Sequence, residues 1–165
     1  VLFRSYSLRP GGDIAEAYEL YGGMLFKIAM VYLGNKQDAE EAMQETFIKL
    51  MNKAPVFTDR EHEKAWLIRV ITNHCKNMLS SLWRKRVTRM EHMDDYFQEP
   101  SERLLMDHVM GLPFKYKSVI HLFYYEDYSV RQIAGILQIS ESAVKMRLQR
   151  GRKLLRMDLE GEERP

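Results

Sequence analysis

Six cations fall between Ser140 and Arg156, against Glu141 as the only acid. On a helix, Val144, Leu148, Gly151 and Leu155 keep to one stripe, while Lys145, Arg147, Arg150, Arg152, Lys153 and Arg156 take the remaining arc. Ammonium and guanidinium groups arrayed this way suit one chemistry above others, holding phosphate and reaching base edges in a DNA groove. Ser140 supplies an N-cap for this helix. Ahead of it, Ser129 and Gln132 fit a capping box, and Ile133, Ala134, Ile136 and Leu137 follow at helical spacing, with Ala134 small enough for a second helix to pack close. Short helices joined by a tight turn, the second one basic, are what a helix-turn-helix needs to enter a major groove. Glycine, which tolerates a left-handed backbone, usually occupies that turn; Gln138 stands there instead, at an expected cost of about 1 kcal/mol. The alternative is a solvated surface helix, which requires caps, small residue and turn to coincide in register by accident.

A second cationic segment lies upstream. From Lys64 to Arg89 there are seven Lys or Arg and no acid. Thr58 with Glu61 offers a capping box for a long helix, with Trp66, Leu67, Val70, Ile71, His74 and Met78 at core spacing and Arg69, Lys76, Arg84, Lys85 and Arg86 outside. The loop entering it carries Phe57, which is either a hydrophobic staple or a platform for a base. A basic helix entered by an aromatic loop suits DNA whose bases are partly unstacked, because cations hold the phosphates while an aromatic or amide receives an extruded base, with stacking worth about 1–3 kcal/mol. Between the basic segments, Glu91, Asp94, Asp95, Glu99 and Glu102 form a stretch free of Lys and Arg, so a nearly neutral net charge of +2 hides a basic, acidic, basic layout.

The elements that must position these groups are helical throughout. Periodicity begins near Ile14 and runs through Tyr18, Leu25, Ile28, Ala29 and Tyr32 until Gly34 and Asn35 break it. In the next helix Ala39, Met43, Thr46, Phe47 and Leu50 line a buried face, leaving a largely acidic face with Asp38, Glu41, Gln44 and Glu45. That face is either solvated or meets a protein, since its charge disfavours DNA. Pro55, Pro100 and Pro113 are internal breakpoints, and 165 residues accommodate two small domains. The expectation is an all-α fold of two small helical domains joined by a flexible acidic linker.

Several classes are set aside. No apolar run approaches a membrane span and no secretory signal is visible, so a cytoplasmic protein without direct membrane insertion is expected. Cys75 is the only cysteine, and His62, His74, His92, His108 and His121 never fall three to five apart, so no metal site is expected. No phosphate loop or nucleophile motif appears, which points to a protein with no catalytic residues, cofactor or small-molecule substrate. Val1 to Ser5, VLFRS, matches a translated frame of a short-read sequencing adaptor, against the alternative of an ordinary tail opened by a GTG start codon.

Taken together, DAEEAMQETFIKL at Asp38 to Leu50, WLIRVITNHCKN at Trp66 to Asn77, GLPFKYKSVIHLFYYEDYS at Gly111 to Ser129 and the helix-turn-helix after it resemble the extracytoplasmic-function (ECF) sigma factors, the two-domain minimal class of bacterial transcription initiation subunits. The resemblance implies a sigma region 2 domain at 11–89, a linker at 90–101 and a sigma region 4 domain at 102–158, with tails at 1–10 and 159–165. It implies that Asp38, Glu41, Gln44 and Glu45 face core RNA polymerase. It also implies that Lys49, Phe57 and Asn73 shape a pocket for a flipped base of the -10 element, while Arg69, Lys76, Arg84, Lys85 and Arg86 hold nearby backbone. Ser140, Glu141, Ser142, Lys145, Arg147 and Arg150 would read the -35 element, Lys145 and Arg147 foremost. The linker would either thread toward the polymerase active channel or remain a solvated connection. Promoter DNA, core polymerase and an anti-sigma factor are the implied partners of a monomeric subunit. Many members carry arginines where this chain has Ser80 and Ser81, so its phosphate contacts are expected to be displaced toward Arg84 to Arg86. The rivals are a stand-alone helix-turn-helix regulator, which would need an upstream α/β domain, and a helical adaptor that binds proteins alone.

Overall fold

Gly34 turns the chain out of its first helix with φ 76°, its amide closing on the Met30 carbonyl at 2.8 Å. In this computed structural model, which describes residues 14–81 and 100–162, that helix is α1 (Ile14–Leu33). Asn35 then caps α2 (Lys36–Lys53), its Oδ1 accepting the Asp38 amide at 2.9 Å. α3 (Arg60–Ser80) completes a first unit in which α1, α2 and α3 pack pairwise around Leu25, Ile28, Leu50, Leu67 and Ile71. The buried face of α2 is the expected one, with Ala39, Met43, Thr46, Phe47 and Leu50 all inside. Tyr18, by contrast, is exposed on α1, with its ring beside Phe47 at 5.4 Å.

Two features of α3 differ from the sequence expectation. The N-cap is Asp59, whose Oδ1 accepts the His62 amide at 2.7 Å. A carboxylate beside the positive helix terminus outcompetes the Thr58 hydroxyl one residue earlier. The buried stripe is Leu67, Ile68, Ile71, Thr72, Cys75 and Met78, whereas Trp66, Val70 and His74 are half-buried. The helix is rolled by about one residue because α3 packs against α1 and α2 on one side and α6 on another.

The second unit contains α4 (Pro100–Met110), α5 (Phe114–Tyr124), α6 (Val130–Leu137) and α7 (Glu141–Glu162). The capping box of α6 is present, with the Gln132 amide on Ser129 Oγ at 3.2 Å and the Ser129 amide on Gln132 Oε1 at 2.9 Å. Gln138 closes α6 in the left-handed region (φ 56°, ψ 47°), as the turn requires. Ser140 Oγ accepts the Ala143 amide at 3.0 Å and opens α7. Gly151 lets α7 lie directly on α5, since a Cβ there would stand 3.0 Å from Ile120 Cγ1. Every regular element among the described residues is a helix, and none is long and apolar enough to cross a membrane.

The two units touch. Lys117 of α5 is buried and donates to the Tyr32 carbonyl of α1 at 2.8 Å, and the Tyr32 and Phe114 rings pack at 4.8 Å. Burial lowers the Lys117 ammonium to about 8. One turn on, His121 is buried against Tyr125, their ring centroids 5.5 Å apart, and its imidazole is pushed down to about 4 by burial, with the Lys27 charge adding to the effect. The unfolded chain takes up this proton near pH 6.5, and the folded chain only near 4. Stability therefore falls as pH drops through that window, by about 2–3 kcal/mol at the end of it. Replacing His121 with leucine should flatten this acid limb in thermal melts between pH 7 and pH 4; an unchanged slope would show the proton is taken up elsewhere.

Candidate nucleic-acid interface

α7 presents its polar arc away from α5 because Val144, Leu148 and Gly151 are buried. Ser140, Glu141, Ser142, Lys145 and Arg150 are exposed, whereas Arg147 is half-buried on the flank. The Ser140 hydroxyl is engaged as the helix cap. The Arg150 guanidinium near the Tyr116 hydroxyl of α5 lowers that phenol below its usual value. Met146 and Gln149 are also exposed on this arc, close to diametrically opposite the buried stripe. The sequence reading missed both because it followed charge; the helical positions Ser142, Met146, Gln149 and Lys153 were the signal available.

On α3, Arg69, Asn73 and Lys76 stand at i, i+4 and i+7 and so share one face. Asn73 and Lys76 are exposed. Arg69 crosses to the second unit, where its Nε donates to the Ile136 carbonyl at 3.0 Å and its Nη2 to the Gly135 carbonyl at 2.6 Å. It satisfies the last turn of α6, whose carbonyls lack helical partners. Nearby, Lys64 Nζ lies 5.4 Å from the centre of the Tyr128 ring. Phe57 is buried, edge-on to Trp66 at 5.6 Å and to His62 at 5.3 Å, so its ring forms the floor of the loop. Lys49 is half-buried on α2. Arg84, Lys85 and Arg86 lie outside the described residues, as do most of the acidic linker and the N-terminal tail.

The acidic face of α2 carries Glu41 and Gln44 exposed, with Asp38 and Glu45 half-buried. Ile48 and Met51, exposed by 42% and 44%, extend it with apolar surface that the sequence reading did not pick out. No group of three or more His, Cys, Asp or Glu among the described residues could hold a metal ion.

Residues 17–85 match the family model for Sigma-70 region 2, and residues 102–155 match that for Sigma-70, region 4. The Bacillus subtilis ECF RNA polymerase sigma factor SigW is 27% identical over 164 residues, covering 88% of each chain. The RNA polymerase sigma factor SigV of the same organism is 26% identical over 145 residues, covering 84% of this chain and 86% of its own.

The chain is an ECF sigma factor of the sigma-70 family.

The fold of this sigma factor is likewise shared with solved relatives. RpoE of Bartonella quintana, crystallised with the anti-sigma factor NepR, superposes with a TM-score of 0.71 at 19% identity, covering 90% of this chain and 97% of that one. CnrH in complex with the cytosolic domain of CnrY superposes with a TM-score of 0.64 at 22% identity, covering 91% and 89%. The sigma factor thus works in transcription initiation, with two helical units on one chain. A stand-alone helix-turn-helix regulator is displaced as a reading, because the upstream residues form helices and match sigma region 2 where that rival requires an α/β domain.

Proposed function

We propose that the unit within 11–89 docks on core RNA polymerase and opens the -10 element, while the unit within 102–158 docks on duplex DNA at the -35 element. The observation that carries this division is the exposed polar arc of α7, backed by a close α5–α7 contact that fixes its direction. In the second unit, Lys145 and Arg147 supply the main contacts, with Ser140, Glu141, Ser142 and Arg150 around them. In the first unit, Phe57 is the floor, Asn73 and Lys49 the polar walls, and Lys76 and Arg84 to Arg86 the cations that hold backbone beside an extruded base, while Arg69, expected among them, is turned to the α6 carbonyls. The α2 face of Asp38, Glu41, Gln44 and Glu45 meets polymerase, and exposed Ile48 and Met51 support a protein partner there.

Binding energy from phosphates and polymerase offsets base unstacking, so the protein itself catalyses no reaction, hydrolyses no nucleotide and needs no cofactor. It acts in the cytoplasm, where core polymerase is found. The solved relatives were captured with NepR and CnrY, and a protein of that class that covers the polymerase-binding surface is the proposed regulator here. Purified chain added to core polymerase should produce specific run-off transcripts from a promoter library, with permanganate-reactive thymines at the -10 element. Absence of any specific transcript across a broad library would overturn the division of roles.

A further inference from the structure

The loop between α2 and α3 has little regular structure to hold it, yet Phe57 within it is buried. Its anchor is a residue on the first turn of α3. The Thr58 amide, which lies outside the helix, donates to His62 Nδ1 at 3.1 Å, and the Thr58 hydroxyl lies 3.4 Å from the same nitrogen. In return, the His62 amide donates to Asp59 Oδ1 at 2.7 Å. This is a variant of the capping box, in which the imidazole takes the Thr58 amide one residue ahead of the Asp59 cap, where a Glu or Gln side chain would take the amide of the cap itself. The Phe57 and His62 rings stand edge to face with centroids 5.3 Å apart at 89°, and the Trp66 ring, one turn along α3, lies 5.6 Å from Phe57 at 63°. His62 also stands on the stripe that continues through Trp66, Arg69, Asn73 and Lys76.

We infer that His62 is a positioning residue for the -10 pocket: its Nδ1 lone pair ties down the Thr58 amide while its ring holds Phe57 against Trp66. The inference rests on the reading above that this loop and α3 open the -10 element. An acceptor at Nδ1 requires the neutral imidazole with its proton on Nε2. The consequence is a loop whose shape exists before DNA arrives, with Val56 left 66% exposed at its tip and Phe57 fixed as its floor. A pocket built in advance does not have to be ordered at the moment a base leaves the stack, so the anchor acts on opening and leaves initial docking alone.

The test compares holoenzymes assembled with core polymerase and full-length chain carrying His62→Ala, His62→Asn or Asn73→Ala. A promoter fragment with 2-aminopurine in the non-template -10 strand reports opening by fluorescence, and binding at low temperature reports the closed complex. His62→Ala should lower the opening equilibrium about tenfold, the factor corresponding to the net strength of one hydrogen bond, with closed-complex affinity unchanged. His62→Asn, whose Oδ1 sits as many bonds from the backbone as the imidazole Nδ1 and accepts the same amide, should restore the share of the loss that the amide anchor carries and leave the share that the ring carries. No restoration at all by asparagine, or equal losses in closed and open complexes, would overturn the positioning role. Impaired opening in Asn73→Ala with normal opening in His62→Ala would remove the inference and leave the pocket standing. Normal opening in both would remove the pocket as well.

Discussion

Replacing Lys145 and Arg147 together with alanine should abolish dependence on the -35 element while leaving assembly with core polymerase intact. Each contact between a basic side chain and a base edge or phosphate contributes about 1–3 kcal/mol, so the pair is expected to cost about 2–6 kcal/mol of promoter affinity. Lys145 is exposed, and its alanine variant removes charge with little loss of packing. Arg147 is half-buried, so its removal also takes away aliphatic contact. Thermal unfolding of both single variants separates the contributions. Competition between promoters with and without the -35 element supplies the main measurement. Equal loss of polymerase binding in the double variant would show that α7 serves the enzyme rather than the DNA. The slope of affinity against salt should also become shallower as phosphate contacts disappear.

Phe57→Ala should have the largest effect on the first unit. The ring is 3% exposed, and removing a buried phenyl ring costs about 3–5 kcal/mol through lost contacts and the cavity left behind. The hole opens beside Trp66 and His62, which form the entrance to α3. Permanganate reactivity at the -10 element should therefore fall more than closed-complex formation. Phe57→Leu preserves most of the volume and should cost less than about 1.5 kcal/mol of stability, which makes it the control for folding. If alanine reduced closed and open complexes alike, Phe57 would be a hydrophobic staple and nothing more.

These outcomes depend on features that differ in how far the sequence reveals them. The α6–α7 motif was legible almost to the residue, because caps at Ser129 and Ser140 and a left-handed position at Gln138 are local devices with local signatures. The buried face of α2 was legible for a similar reason, since one face of a short helix meets one neighbouring core. α3 was read a residue out of register because it packs against three other helices, and a wide buried arc blurs a single apolar stripe. Its cap was displaced from Thr58 to Asp59 because two adjacent capping residues compete and spacing alone does not rank them. The partners of Arg69 lie 66 and 67 residues away, and no local pattern announces a contact at that separation. His62 escaped notice because its role depends on an amide four residues earlier, whereas the sequence reading weighed histidines as metal ligands.

Lys117 places a charge inside the contact between the two units. Its ammonium meets the Tyr32 and Met110 carbonyls at 2.8 and 3.4 Å, in surroundings that lower it to about 8 from an ordinary 10.5. Burying that charge costs about 3 kcal/mol relative to water, which the apolar surface packed around it must offset. A joint lined only with hydrocarbon would have no such cost. Lys117 therefore leaves the joint between α1 and α5 less stable than its apolar contacts alone would make it.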